Sequence, residues 1–291
     1  MNDQTAVNAG RKRITRRNIL IVPKFLINVI CLGISATCIF PFIWLAYSSL
    51  KPNTEFVINY FSLPKTVMWE NYYNALIKSK ILYFFGNTLL NSAMSVAVIL
   101  FFGFCIAYFL ARYEFFGKKF VYGLLSLGMI MPIHSLLVPM YIQYKIMGMI
   151  DHRGVLILPY MGVMLPLTVF LLEAYIKTIP KEMEQSASIE GASLFYTLVR
   201  IIVPLAKPAI ITMLIIVFNN TWNEFPFALI LSGKEHVRNI SVGLMNFTSM
   251  YDVEWTQRIA ASMVAVMPVA ILYTIFNKQI IKGMTDGALK G

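Results

Sequence analysis

Charge is scarce in this chain: only 13% of its 291 residues are Asp, Glu, Lys or Arg, whereas 58% are hydrophobic. A soluble domain carries about 25% charged residues, so the shortage excludes an ordinary water-soluble fold. Cysteine is nearly absent. Cys31, Cys38 and Cys105 all lie in apolar runs, which excludes a disulfide framework and leaves them as small packing residues. His134, His152 and His236 are scattered without metal-ligand spacing. No Ser-His-Asp or H-E-x-x-H arrangement occurs, so the chain is read as non-catalytic. It also lacks a G-x-x-x-x-G-K-[ST] loop, the usual cradle for nucleotide phosphates.

What the sequence has instead is a series of runs without charge. There are 26 uncharged residues between Lys24 and Lys51, 31 between Lys80 and Arg112, and 25 between Lys119 and Lys145. Arg153 to Glu173 and Arg258 to Lys278 each enclose 19, and from Pro208 to Gly233 Glu224 is the single interruption. A helix needs roughly 20 apolar residues to cross about 30 Å of hydrocarbon. The expected fold is therefore an all-α integral membrane protein with six transmembrane helices, at about 25–49, 84–111, 120–141, 154–175, 206–232 and 259–280. The apolar region from Phe25 to Leu45 exceeds the 7–15 residues of a signal peptide and reads as a retained helix.

Lys and Arg set the orientation. With both termini cytoplasmic, the inner segments hold 16 of these residues and the outer segments 9, which agrees with the positive-inside bias. Residues 1–22 form a basic cytoplasmic segment, 23–282 the six-span domain and 283–291 a cytoplasmic tail. The cluster Arg11, Lys12, Arg13, Arg16 and Arg17, beside a first span, suits membrane lipid and not nucleic acid. Gly283, Gly287 and Gly291 predict that no helix persists through 282–291.

Pro132, Pro139, Pro159, Pro166, Pro226 and Pro268 fall within the spans. Each removes a backbone hydrogen bond, which suits either kinks for packing or helices bent around a polar path. No internal repeat supports an inverted-repeat carrier.

The segment 181–203 is amphipathic and broken at Gly191. Glu182, Glu184 and Glu190 lie on the polar side of its first half, and Gly191 can take positive φ and end one short helix before another begins at Ala192. Pro204 and Pro208 mark the start of the fifth span. A lipid-surface hairpin is one reading, although such helices favour Lys and Arg. No cation lies between Lys181 and Arg200, which suits a protein partner better.

In span five, Asn219, Asn220, Thr221, Trp222, Asn223 and Glu224 place polar groups at membrane depth, where a charge costs about 3 kcal/mol. They serve either as interhelical hydrogen-bonding groups or as the wall of a polar cavity for a hydroxyl-rich solute, with Trp222 stacking on a sugar face. Asn87 and Asn91, four apart in span two, are weaker candidates of the same kind.

Residues 185–191, Gln-Ser-Ala-Ser-Ile-Glu-Gly, followed by nine residues and then Ile201, Ile202, Val203 and Pro204, resemble the EAA---G---------I-LP loop of ABC-importer permease subunits. Gln185 stands in place of Glu, Ser186 in place of Ala and Val203 in place of Leu. Residues 49–55, 87–92, 222–225 and 282–291 are similar to the maltose-type carbohydrate permeases, so the resemblance covers nearly the whole chain beyond residue 20. It implies a coupling helix between spans four and five, docked on an ATPase through Glu184, Gln185, Ser186, Ala187, Ser188, Glu190, Gly191 and Ala192. It implies an inner-membrane subunit of bacterial type, working with a second homologous permease, two cytoplasmic ATPase subunits and an extracytoplasmic sugar-binding protein. ATP and Mg would then be bound by the partners, with no cofactor on this chain. The solute implied is a sugar or oligosaccharide. A polyol, a glycerol-phosphate ester or a peptide fits the same machinery, and an ATP-independent channel or carrier is disfavoured because five of the six spans hold no buried acid or Lys. A membrane scaffold without transport is the remaining reading.

Overall fold

The computed structural model describes residues 24–247 and 254–288. The basic cluster from Arg11 to Arg17 and the last three tail residues lie outside the described residues. Every regular element among the described residues is helical.

The helices that position the site are α1 (Lys24–Ser48), α2 (Ile81–Arg112), α3 (Lys118–Ile130), α4 (Ile133–Ile146), α5 (Ile157–Ile176), the short α6 (Glu182–Ile189), α7 (Val203–Asn223), the short α8 (Pro226–Leu231) and α9 (Trp255–Ala288). Five helices are long and apolar enough to cross a membrane. α3 and α4, which meet at 100° across Met131 and Pro132, make a sixth candidate when taken together as one bent span. The expected third span at 120–141 is thus corrected to a broken one. Pro132 has no N–H to continue α3, and its ring forces the preceding residue out of the helical region, so Met131 sits at ψ 121°.

The bent pair does cross from one end of the bundle to the other. Near the start of α3, Tyr122 donates to Glu173 of α5, a buried acid in span four where the sequence reading expected none, at the end that carries Arg112. Past α4, the N–H of Asp151 donates to the carbonyl of Leu231 and its carboxylate accepts from the N–H of Lys234 at 2.8 Å, at the end where Lys80 meets Glu235. The loops around 80, 151 and 235 therefore share one end of the bundle, and 112, 173 and 184 share the other.

The expected fifth span, 206–232, is also corrected. Its helix begins earlier, running from Leu194 through a π turn at Leu198–Ile202 into α7, and stops at Asn223. Glu224 leaves the helical region (ψ 131°) and α8 follows with Pro226 in its first turn, where a missing N–H costs nothing. α9 runs on to Ala288, against the expectation of a helix-free tail at 282–291. Extending an existing helix needs no new nucleus, so Gly283 and Gly287, at about 1 kcal/mol each, do not end it.

The core lies between α2, α5 and α7. Gly103 of α2 lets the helices approach closely: a Cβ there would stand 2.6 Å from Cγ2 of Thr168 in α5. Ser92 and Ser95 of α2 are fully buried small residues of the kind that bring membrane helices together. α1 differs, burying none of its apolar residues over its most hydrophobic stretch. Its C-terminal end is held by a knot. Lys51 is fully buried and donates to the carbonyl of Asn59 at 3.2 Å and to Oγ of Ser62, while the Asn71 amide donates to the carbonyls of Ser49 and Lys51. Burial pushes the Lys51 ammonium down, against the pull of Glu55 in the other direction.

Candidate functional site

The two broken spans meet. A cavity of about 300 Å³ is lined by Ile133 and His134 where α4 begins, by Tyr160 and Met164 of α5, and by Asn219, Asn220, Asn223 and Glu224 at the end of α7. Irregular backbone at membrane depth is tolerated where it lines such a space, because the polar groups freed by the break can be satisfied there. Asn220 and Asn223 are exposed. The amide of Asn220 donates to the carbonyl of Ile216, and that of Asn223 to both oxygens of Asn219, at 2.9 and 3.0 Å. The side-chain carbonyls of these two cavity-lining residues remain available as acceptors.

Glu224 does more than line the wall. Its carboxylate accepts from the backbone N–H of Phe227 (2.6 Å) and of Ala228 (3.1 Å), the unpaired donors that open α8, and from the Tyr160 hydroxyl at 3.0 Å. The Asn239 amide reaches the Tyr160 oxygen and accepts from Asn91 at 2.9 Å, so the network runs from α7 through α5 to α2.

Three sequence candidates for the path belong elsewhere. Trp222 is 2% exposed: it stacks on Phe218, meets Phe85 edge-on, and donates its indole N–H to the carbonyl of Ala265 in α9 at 2.9 Å. It cannot present a face to a solute. Asn87 donates to the carbonyls of His236 and Arg238, and Asn91 to Asn239, so both fasten the segment 236–243 to α2. Thr88 completes this attachment by accepting from the N–H of Ile240 at 2.8 Å. His134 and Tyr160, which line the cavity, were not singled out from the sequence. The Met131–Pro132 break was the available signal for His134.

At the opposite end, α6 closes with a turn at Gly191, which adopts φ +83°. The N–H of Ala192 returns to the carbonyl of Ala187 at 2.9 Å and that of Gly191 to Ser188 at 3.1 Å, the paired 6→1 and 5→2 bonds of a Schellman ending. Ser193 then caps the next helical turn, its hydroxyl accepting from the N–H of Tyr196. Gln185, Ser186, Ser188, Ile189, Glu190 and Gly191 are exposed, and Ala192 partly so, whereas Ala187 is buried. Ile189 (88% exposed) and Phe195 (75%) stand out on either side of the turn.

Glu184 does not join that outward face. Its carboxylate holds Arg112 Nε at 2.6 Å and accepts from the Tyr108 hydroxyl at 2.9 Å, and Arg112 also donates to the carbonyl of Ile179. The side chains of Arg112 and Glu184 are 5% and 17% exposed. Assignment of Glu184 to an ATPase-docking surface is therefore corrected: its direction is set by the cation at the end of α2.

Residues 99–286 match the family described as binding-protein-dependent transport system inner membrane component. The trehalose transport system permease protein of Mycobacterium tuberculosis is 33% identical over 86% of this chain and 92% of its own length. The trehalose/maltose transport system permease protein of Thermococcus litoralis is 30% identical over 97% of this chain and 99% of its own. Among solved structures, a chain of a bacterial ABC transporter involved in the import of the acidic polysaccharide alginate superimposes with a TM-score of 0.75. That match is 21% identical and covers 87% of this chain and 95% of that one. With the family match spanning most of the chain and a relative aligned from end to end, this multi-pass membrane protein belongs to the binding-protein-dependent transport system inner membrane components.

Proposed function

We propose that the chain is a permease subunit of an ATP-driven importer and forms, with a second permease, the path for a sugar or oligosaccharide delivered by an extracytoplasmic binding protein. The observation that carries this reading is the cavity where two interrupted spans meet, walled by Asn219, Asn220 and Asn223. Amide groups there offer both donors and acceptors to hydroxyls without a net charge to bind them too tightly. The sugar class is supported by the trehalose and maltose named in the relatives.

In this reading the end carrying α6 is cytoplasmic, as the Lys and Arg bias supports, and both termini lie on that side of a bacterial-type inner membrane. The exposed surface of Gln185, Ser186, Ser188, Glu190 and Gly191 then docks on an ATPase subunit, with Ile189 and Phe195 as apolar contacts. Two such ATPases would bind ATP and Mg, for which this chain has no phosphate loop.

The test is uptake by the complete complex in proteoliposomes. Asn220→Ala combined with Asn223→Ala should cut sugar uptake by about tenfold, the scale of one to two lost hydrogen bonds, at unchanged subunit ratio. Uptake at the wild-type rate would remove the cavity from the path.

A further inference from the structure

The geometry points to α2 as a stiff strut that joins the α6 turn at one end of the bundle to the outer segment 236–243 at the other, with Arg112, Glu184 and Tyr108 as the positioning residues of its inner joint. This rests on the proposed permease function for its purpose, though not for its geometry. Among the long crossings α2 alone has no proline: α1, α5, α7 and α9 contain Pro41, Pro166, Pro208 and Pro268, and the α3–α4 crossing breaks at Pro132. An uninterrupted hydrogen-bond ladder resists bending, and sharp bends in other helices have proline as their usual cause. From Asn87 to Arg112 the helix extends for about 38 Å at ~1.5 Å per residue, the thickness of a membrane.

Both ends are pinned by groups with fixed geometry. At the inner end the largely buried Arg112 ties the carboxylate of Glu184 and the carbonyl of Ile179, while Tyr108, one turn earlier, takes the other carboxylate oxygen. Two α2 residues on one face thus grip one side chain of α6, which fixes its orientation as well as its distance. At the outer end Asn87, Thr88 and Asn91 bind the carbonyls of His236 and Arg238, the N–H of Ile240 and the side chain of Asn239. In between, Gly103 seats α2 against Thr168 without slack. A displacement of α6 is therefore carried to the outer segment by one rigid element and not by a relay of side-chain moves, and rigid secondary elements are among the carriers of energetic coupling between distant sites.

The experiment uses the full chain in nanodiscs and reads amide hydrogen exchange, with Glu184→Gln loosening the inner joint and Thr88→Val the outer. Coupling is reciprocal, so Thr88→Val should raise exchange across 183–190, and Glu184→Gln should raise it at Ile240 and Gly243, each by about fivefold or more, with α4 unchanged. Effects confined to the mutated end in both variants would overturn the strut. In the complete complex, Glu184→Gln should retain its ATPase subunits but lose most of the stimulation of hydrolysis by the loaded binding protein, and Arg112→Glu with Glu184→Arg should recover part of it. Loss of the ATPases from the Glu184→Gln complex would instead make the clasp a docking scaffold and overturn its role as a joint. Reciprocal exchange in a chain that supports no sugar uptake would leave the strut standing and sink the sugar reading.

Discussion

α2 and the α7–α8 pair cross the same bundle and are built on opposite plans. α2 is continuous, buries serine, glycine and asparagine against α5 and the segment 236–243, and contains no proline. α7 stops at Asn223, turns at Glu224 and restarts as α8. Both carry asparagines at membrane depth, yet those of α2 are consumed by protein carbonyls and those of α7 border an open cavity. Residue type at depth does not separate packing groups from cavity-lining ones; continuity of the backbone beside it does. Where the ladder is whole, polar side chains serve neighbouring segments, and where it breaks, they find space.

Trp222→Ala tests this contrast most severely, because Trp222 sits on the broken crossing but belongs to the packed half. Removing its contacts with Phe218, Phe85 and Ala265 should cost about 3–5 kcal/mol, visible as a large drop in thermal unfolding temperature in detergent. A variant of wild-type stability would mean that these contacts do not hold the crossing together. Gly103→Val comes next: the added atoms collide with Thr168, which is fully buried and bonded to Met164, so overpacking of roughly 1–3 kcal/mol is expected by the same measurement. Glu224→Gln should cost about 1 kcal/mol, since it keeps one acceptor for the first N–H groups of α8 and gives up the charge that strengthens those bonds. Asn223→Ala should leave stability unchanged within about 0.5 kcal/mol, its side chain being exposed. A destabilised Asn223→Ala protein would mean that the cavity wall is structural after all.

The smallest effect is electrostatic. Lys80 holds the Glu235 carboxyl below its usual range. A lowered folded-state pKa contributes stability that is present above the ordinary carboxylate value and is lost as pH falls through the depressed one. Both side chains are more than half exposed, so the contribution is slight and salt-screened. Exchange of the Ile240 amide measured at neutral pH in low and high salt should differ only marginally, and by less still in Glu235→Gln.

Much of this architecture was legible from charge spacing, because a charge inside hydrocarbon is costly enough that its absence over 19 or more residues marks a crossing. The turn at Gly191 was legible for a similar reason, since few residues accept positive φ. What the sequence hid was direction. Trp222, Asn87, Asn91 and Glu184 were recognised as polar groups needing partners, but a side chain's identity does not say which neighbour supplies them. Arg112 is 72 residues from Glu184 and Asn239 is 148 from Asn91, so those partners emerge only when the helices assemble. Pro132 announced a disturbance in span three without fixing its size, because a proline permits anything from a mild bend to a full break and the surrounding helices decide between them.

Gly191 and Gly103 show that glycine is required for two unrelated reasons. At Gly103 the backbone is ordinary helix and the obstacle is another helix. At Gly191 a Cβ would meet nothing within 4 Å, and the obstacle lies in the φ of +83° that closes the turn. Position 191 is thus selective for handedness and indifferent to bulk: the mirror-image amino acid, D-alanine, would fit the turn that L-alanine strains, whereas at Gly103 neither would find room.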